Sequence, residues 1–182
     1  MQPDRVTLRR FPIFADLTPE ELDQIAERLE TIELAPGEEL FAEGDPGQSC
    51  YFLHLGRISV ERATTPGQYE MLAKLDAPTV IGEMAFLRNA PRSARVVAIF
   101  PSVLWEMQGS DLDALASSGS AAAYKVMRWI AGSLSDRLAD TNNRLIEIYA
   151  QPYKSIMELK ERLRHLTPGF VSVGMDEVDD LE

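Results

Sequence analysis

Residues 82–95 read GEMAFLRNAPRSAR, with three arginines set in a chain of formal net charge −11. Gly82 permits a tight turn or a close backbone approach, and EMAF is a strong former of a short helix. Such a helix aims its first free N–H groups at whatever lies before it. Pro91 stiffens the return of the chain, Arg92 offers a planar fork of donors suited to phosphate oxygens, and Ser93 adds a hydroxyl. These features describe an anion site. Glu83 is the exception, because a carboxylate repels phosphate unless it accepts hydrogen bonds from sugar hydroxyls. A ligand carrying both a phosphate and a ribose satisfies both residues. The plain alternative is that Glu83 and Arg92 pair with each other across the turn.

On either side of this stretch, from Ile32 to about Glu106, short apolar or alternating runs are separated by turn residues. The runs include ELFAEG, CYFLHL, RISVE, EMLAKL, RVVAIF and SVLWEM; the breaks include Pro36-Gly37, Asp45-Pro46-Gly47, Gly56, Pro66-Gly67, Pro78 and Pro101. Such spacing describes a compact antiparallel barrel or sandwich. RISVE alternates, with Ile58 and Val60 on one face and Arg57, Ser59 and Glu61 on the other.

Helical patterns bracket the strands. LTPEELDQIAERL opens on Thr18 as cap, Pro19 in the first helical position and Glu21 closing a capping box. Leu22, Ile25, Ala26 and Leu29 follow at helical spacing, and Phe11, Ile13 and Phe14 pack a shorter preceding turn. Beyond the strands, SDLDALASSG predicts a short helix capped by Ser110 or Asp111. A long helix then runs over about 121–149, with Met127, Ile130, Leu134, Leu138, Leu145 and Ile148 as a stripe broken at Thr141 and Asn142. That stripe is too long to lie on a small barrel, so part of it faces another chain, as in a coiled-coil seam. Gly132 is a weak point in it, costing about 1 kcal/mol relative to alanine.

After Pro152, YKSIMELKERLRHL predicts a separate amphipathic helix ended by Thr167-Pro168-Gly169, and FVSVGMDEVDDLE reads as an acidic, flexible tail. The expected organisation is therefore α+β: an antiparallel β-barrel of double-stranded β-helix (jelly-roll) type over 32–109, flanked by N-terminal helices (1–31) and a long C-terminal helix (110–150). A short terminal helix (151–169) and the tail (170–182) complete it.

Composition mainly excludes. The acidic balance argues against a general nucleic-acid binder and against docking on an anionic membrane. No apolar run approaches the roughly 18–20 residues of a membrane span, and the N-terminus lacks a secretory signal, so the default expectation is a cytoplasmic protein. Cys50 has no second thiol for a disulfide and reads as a small hydrophobe at a strand start. His54 and His165 match no metal-ligand spacing, and no metal is expected. With no G-x-S-x-G, H-E-x-x-H or phosphate loop, no enzyme chemistry is expected either.

GEMAFLRNAPRSARVVA resembles the phosphate-binding cassette of the cyclic nucleotide-binding domain family: Gly-Glu, three apolar residues, a short loop, then Pro-Arg, a small residue and Ala. PGEELFAEGDPGQSCYFLHLGRISV resembles the first barrel strands of that family, with Gly37, Gly44 and Gly56 at turns, and the resemblance covers about residues 11–149. It implies that Arg92 pairs with the cyclic phosphate, helped by the backbone N–H groups of Ala85 and Ser93. Glu83 then accepts the ribose 2′-hydroxyl and Gly82 admits the close approach, with Met84 and Ala94 inside the same motif. Met71 and Leu72 should line the sugar and base pocket, and Arg88 and Arg95 match no ligand position; Arg95 is expected to be a solvated strand residue. The ligand implied is cAMP, with cGMP the alternative that Ser93 leaves open.

The long helix is similar to the dimer helix of catabolite-activator-type regulators, which places Thr141 and Asn142 where polar residues reach the adenine and implies a homodimer through 121–149. In that branch a helix-turn-helix domain follows. Residues 152–182 are too few for one and end in acid, so this chain is not expected to bind DNA. The resulting expectation is a non-catalytic sensor that signals to an effector protein not identified by the sequence. The alternatives are a ligand-free scaffold of the same fold and a truncated cAMP-responsive transcription regulator.

Overall fold

The computed structural model describes residues 2–65 and 67–166, and for 151–155 and 158–166 it describes the backbone. Among the described residues, eight strands form two four-stranded sheets, every neighbouring pair antiparallel. The strands are β1 (Glu30–Leu34), β2 (Glu39–Phe41), β3 (Ser49–Leu55), β4 (Arg57–Thr65), β5 (Gln68–Asp76), β6 (Thr79–Ile81), β7 (Arg95–Ala98) and β8 (Ser102–Gln108). The first sheet has the order β1-β8-β3-β6 and the second β2-β7-β4-β5. The barrel expected from the sequence is thus two open sheets face to face, in the jelly-roll arrangement.

Burial explains why CYFLHL is apolar throughout. Tyr51 and Leu53 face the second sheet and pack with Ile58, Ile81, Val96 and Leu104. Cys50 and Phe52 point the opposite way, to the helices, beside Trp105, Met107, Phe11 and Phe14. The central strand of the first sheet is therefore covered on both faces, which removes the usual polar alternation. Phe11, Phe14, Phe52 and Trp105 meet ring to ring, with centroids 4.8–6.0 Å apart. Burying each such side chain contributes about 1.5–3 kcal/mol.

The helices supply the second half of that core. α1 (Arg5–Leu8) was not expected; Asp4 and Thr7 cap it reciprocally, in a variant of the Ser/Thr-x-x-Glu box, and Arg5 pairs with Asp23 of the next helix. A single 3₁₀ turn at Pro12–Phe14 follows. α2 (Pro19–Ala26) begins as the sequence predicts: the Thr18 N–H donates to the Glu21 carboxylate at 2.7 Å, and the Glu21 N–H donates to the Thr18 hydroxyl at 3.3 Å. α3 (Glu83–Arg88) carries the arginine-bearing stretch, and α4 (Gly109–Ser117) follows β8 directly. Its cap is Gln108 rather than Ser110 or Asp111; the helix begins at Gly109, and Asp111 accepts the Gln108 N–H from inside the first turn.

α5 runs unbroken over Ala121–Leu166. The separate helix expected after Pro152 is the continuation of this one. Proline's fixed φ is compatible with helix, and strong helix formers on both sides (Leu145, Glu147, Ala150; Lys154, Met157, Glu158) carry it through a cost of about 3 kcal/mol. The acidic tail at 170–182 lies outside the described residues.

The chain divides into two compact units, Met1–Leu134 and Ser135–Glu182. Within the first, Ala122, Ala123, Val126 and Ile130 are buried and Leu134 packs against them. In the second, Leu138, Leu145 and Ile148 are exposed. Gly132 is exposed, and a Cβ built there meets nothing within 4 Å. Gly132→Ala should accordingly stabilise the protein by about 0.5–1 kcal/mol, read as a higher thermal midpoint. An unchanged or lower midpoint would show that this stretch of helix is not limited by glycine.

Candidate functional site

Gly82 stands at the N-terminus of α3 with φ +78°, in the left-handed region that favours glycine. The first N–H groups of a helix have no acceptor within it, so those of Glu83, Met84 and Ala85 point outward from this end. Asn89 ends the helix at φ +48°, and the Ala90 N–H closes it on the Ala85 carbonyl at 3.1 Å. Glu83, Ala85 and Phe86 are buried, whereas Met84 and Arg88 are exposed.

The β2–β3 loop holds this helix and its return in place. The Asp45 carboxylate accepts the Ala42 N–H at 2.8 Å and shapes the loop. Loop and return then exchange backbone bonds: Gly44 N–H to Arg92 O at 2.9 Å, and Arg92 N–H to Asp45 O at 2.8 Å. At Gly47 a Cβ would lie 2.2 Å from the Ala85 Cβ and 2.4 Å from the Ala90 carbonyl. Only glycine lets the loop approach α3 this closely.

Into that frame Arg92 turns its side chain, and the residue is only 4% exposed. Nη1 donates to the Ser49 carbonyl at 2.8 Å and to the Gly82 carbonyl at 3.2 Å; Nη2 donates to the Ser49 hydroxyl at 3.0 Å. The guanidinium lies over the ring of Phe41 at 4.3 Å and near that of Tyr51 at 5.3 Å. Its Nε–H is buried with no acceptor. A Cβ at position 82 would sit 2.5 Å from Nη1. Gly82, expected to clear space for a ligand, thus clears space for the Arg92 fork.

The surrounding electrostatics follow from burial. Desolvation pushes the Cys50 thiol well above its ordinary range; the charge of Glu83 adds to this and Arg92 opposes it. Cys50 is inert core. Burial likewise raises the Tyr51 phenol, with the Glu106 carboxylate adding to the effect. His54, stacked on Trp105 at 4.4 Å, is held below its usual value chiefly by burial.

The other expected site residues divide. Ala94 is buried beside Arg92, and Ser93 faces solvent. Met71 pairs with Glu61 across the hairpin, on the face of Arg95, whereas the partly buried Val60 and the buried Val96 lie on the opposite one. Leu72 falls at the register shift beside it and is 58% exposed. Arg95 is more than a solvated strand residue: it donates to Glu61 at 2.6 Å and lies 3.3 Å from the Tyr69 ring centroid. Thr141 and Asn142 belong to the second unit and are exposed; the Thr141 hydroxyl donates to the Arg137 carbonyl.

A separate cleft of about 420 Å³, lined among others by Gln48, Phe86, Gln108, Leu112 and Met127, contains neither Glu83 nor Arg92. Among the described residues no three His, Cys, Asp or Glu side chains are grouped to hold a metal ion, and no helix is long and apolar enough to cross a membrane.

Comparison with known proteins decides the family. A family model described as the cyclic nucleotide-binding domain matches residues 31–118, which contain both sheets except Glu30, together with α3 and α4. The chain belongs to that family. The chain is 41% identical over 91 residues to a cAMP-dependent protein kinase regulatory subunit of Hypocrea atroviridis, covering 50% of this chain and 19% of that protein. Over 174 residues the chain is 25% identical to a CRP-like cAMP-activated global transcriptional regulator of Mycobacterium tuberculosis, covering 93% of this chain and 76% of the regulator. Among solved structures, the N-terminal domain of a transcriptional regulator from Streptomyces coelicolor A3(2) is similar at 30% identity and a TM-score of 0.63. That match covers 75% of this chain and 95% of that one. The chain spans about a fifth of the kinase subunit's length, and about a third or less of several other curated relatives.

Sequence reasoning did not find Ser49, Phe41, Tyr51 and Gly47, which seat Arg92 and α3 in the cyclic nucleotide-binding domain. The turn Asp45-Pro46-Gly47 was legible. That the residues after it would receive an arginine 43 positions later was not.

Proposed function

We propose that this chain is a non-catalytic cyclic nucleotide sensor that takes cAMP. The observation that carries the reading is the state of Arg92: a buried cation whose three hydrogen bonds go to uncharged oxygens and whose Nε–H has no acceptor. A buried charge in that condition is costly, and an anion offered to the Nε–Nη2 edge relieves the cost. The N–H groups of Ala85 and Ser93 add donors for the same phosphate, and the buried Glu83 takes the ribose hydroxyl. Leu72 and Met71 would close on the sugar and base only with some rearrangement of the β4–β5 hairpin. Two of the relatives above are named for cAMP, which favours it over cGMP.

Signalling follows from the long helix. Leu138, Thr141, Leu145 and Ile148 fall at alternating steps of three and four, the seam of a coiled coil, and the three apolar ones are exposed. A second copy of the chain covers that seam, and the far end of α5 presents the state to an effector protein. Binding shifts such a switch only as far as its affinities for the two states differ. A single unpaired cysteine suits a reducing cytoplasm.

Titration calorimetry of the folded protein with cAMP and with cGMP tests the reading, with light scattering to follow dimerisation. Saturable heat is expected from both, stronger for cAMP. No heat from either would remove the sensor.

A further inference from the structure

The hydrogen bond from Arg92 to Ser49 is one step of a chain with a fixed direction. An arginine only donates, so the Ser49 oxygen that meets Nη2 at 3.0 Å must accept. The serine proton is then free to go elsewhere, and Ser49 donates it to the Tyr51 hydroxyl, also at 3.0 Å. The phenol proton is not needed for that bond, and Glu106 is the cross-strand partner of Tyr51 on β8. The direction of the Ser49 bond agrees with its effect on the phenol: burial and the Glu106 charge raise the pKa, and this bond lowers it. Ser49 and Tyr51 are 5% and 7% exposed, so water does not compete for these bonds.

We infer that Ser49 and Tyr51 are positioning residues for ligand capture, holding the Arg92 fork through two linked hydroxyls. This rests on the reading that Arg92 receives the ligand's phosphate. Arginine has five N–H donors, and the carbonyls of Ser49 and Gly82 with the Ser49 hydroxyl engage three. The donors left are Nε–H and one on Nη2, the two nitrogens that flank one edge of the planar fork. Ser49 therefore fixes the guanidinium by one side and leaves the other for a bidentate anion. The hydroxyl chain keeps the Ser49 lone pair turned toward Nη2 before the ligand arrives, which is preorganisation rather than contact.

The test uses the full chain and cAMP, by calorimetry at a temperature where circular dichroism shows each variant folded. Ser49→Ala should weaken binding about tenfold, the scale of one hydrogen bond to a charged group. Ser49→Thr, which keeps the hydroxyl, should restore affinity to within about threefold of the unaltered protein. Tyr51→Phe should weaken binding about threefold, and the double variant Ser49→Ala/Tyr51→Phe no more than Ser49→Ala by itself, because both break one chain. Unaltered protein that takes no cyclic nucleotide fails the sensor reading before any variant is compared. Firm binding by the unaltered protein with an undiminished Ser49→Ala, or with Ser49→Thr as weak as Ser49→Ala, overturns this inference and leaves the sensor standing.

Discussion

Replacing Arg92 by alanine is expected to lower cyclic nucleotide affinity by about 10²–10⁴-fold, the loss of two charge-assisted hydrogen bonds at about 1.5–3 kcal/mol each. The stability of the ligand-free fold should change far less. The substitution removes a buried cation that is only partly compensated, and it forfeits the contact with Phe41 at 4.3 Å and three hydrogen bonds. These terms oppose each other. Arg92→Lys keeps the charge but not the fork; it cannot hold Ser49 by one side and an anion by the other, so it should lose more than about tenfold. Arg95→Ala is the control from the same stretch. Its guanidinium is spent on Glu61 and Tyr69, and its removal should leave affinity within about threefold, at a cost of about 1 kcal/mol in stability. Calorimetry on the three variants decides the matter: equal losses at 92 and 95 would refute the role given to Arg92.

The difference between those two arginines shows what a linear sequence carries and what it does not. Local devices were legible because their partners are neighbours in the chain. Thr18 and Glu21 cap each other three residues apart, and RISVE alternates because adjacent side chains of a strand face opposite ways. The motif around Gly82 was legible too, since turn, helix and proline-stiffened return are contiguous. Partners chosen by sheet order were not. Glu61 meets Arg95 because β4 lies beside β7, and Ser49 meets Arg92 because the β2–β3 loop bonds to the return after α3. Each contact closes more than thirty residues of chain. α5 shows the converse error: a local rule, that proline ends a helix, yielded to strong helix formers on both sides of Pro152. The face that Met71 takes was not legible for a third reason. The register shift at Val60/Glu61 changes which residues of β5 share the face of Val60, and a pattern of period two cannot foresee a bulge.

Gly82→Ala should weaken cyclic nucleotide binding about a hundredfold and destabilise the ligand-free protein by about 1–2 kcal/mol, and the two effects have separate causes. The stability term is backbone strain, since alanine at φ +78° enters the left-handed region. The binding term is a collision. The new methyl group would stand 2.5 Å from Nη1 of Arg92 and 3.4 Å from its Cζ. Nη1 must then leave the Gly82 carbonyl at 3.2 Å, and the fork turns off the Ser49 carbonyl at 2.8 Å, so the Nε–Nη2 edge loses the direction in which we propose it meets an anion. Gly119→Ala separates the two terms. That glycine has φ +76°, nearly the same backbone, but a Cβ there meets nothing within 4 Å. It should lose stability by a similar amount and bind cyclic nucleotide as the unaltered protein does. If both alanine variants bind equally well, Gly82 serves only the turn, and the seating of Arg92 beneath it does not govern the site.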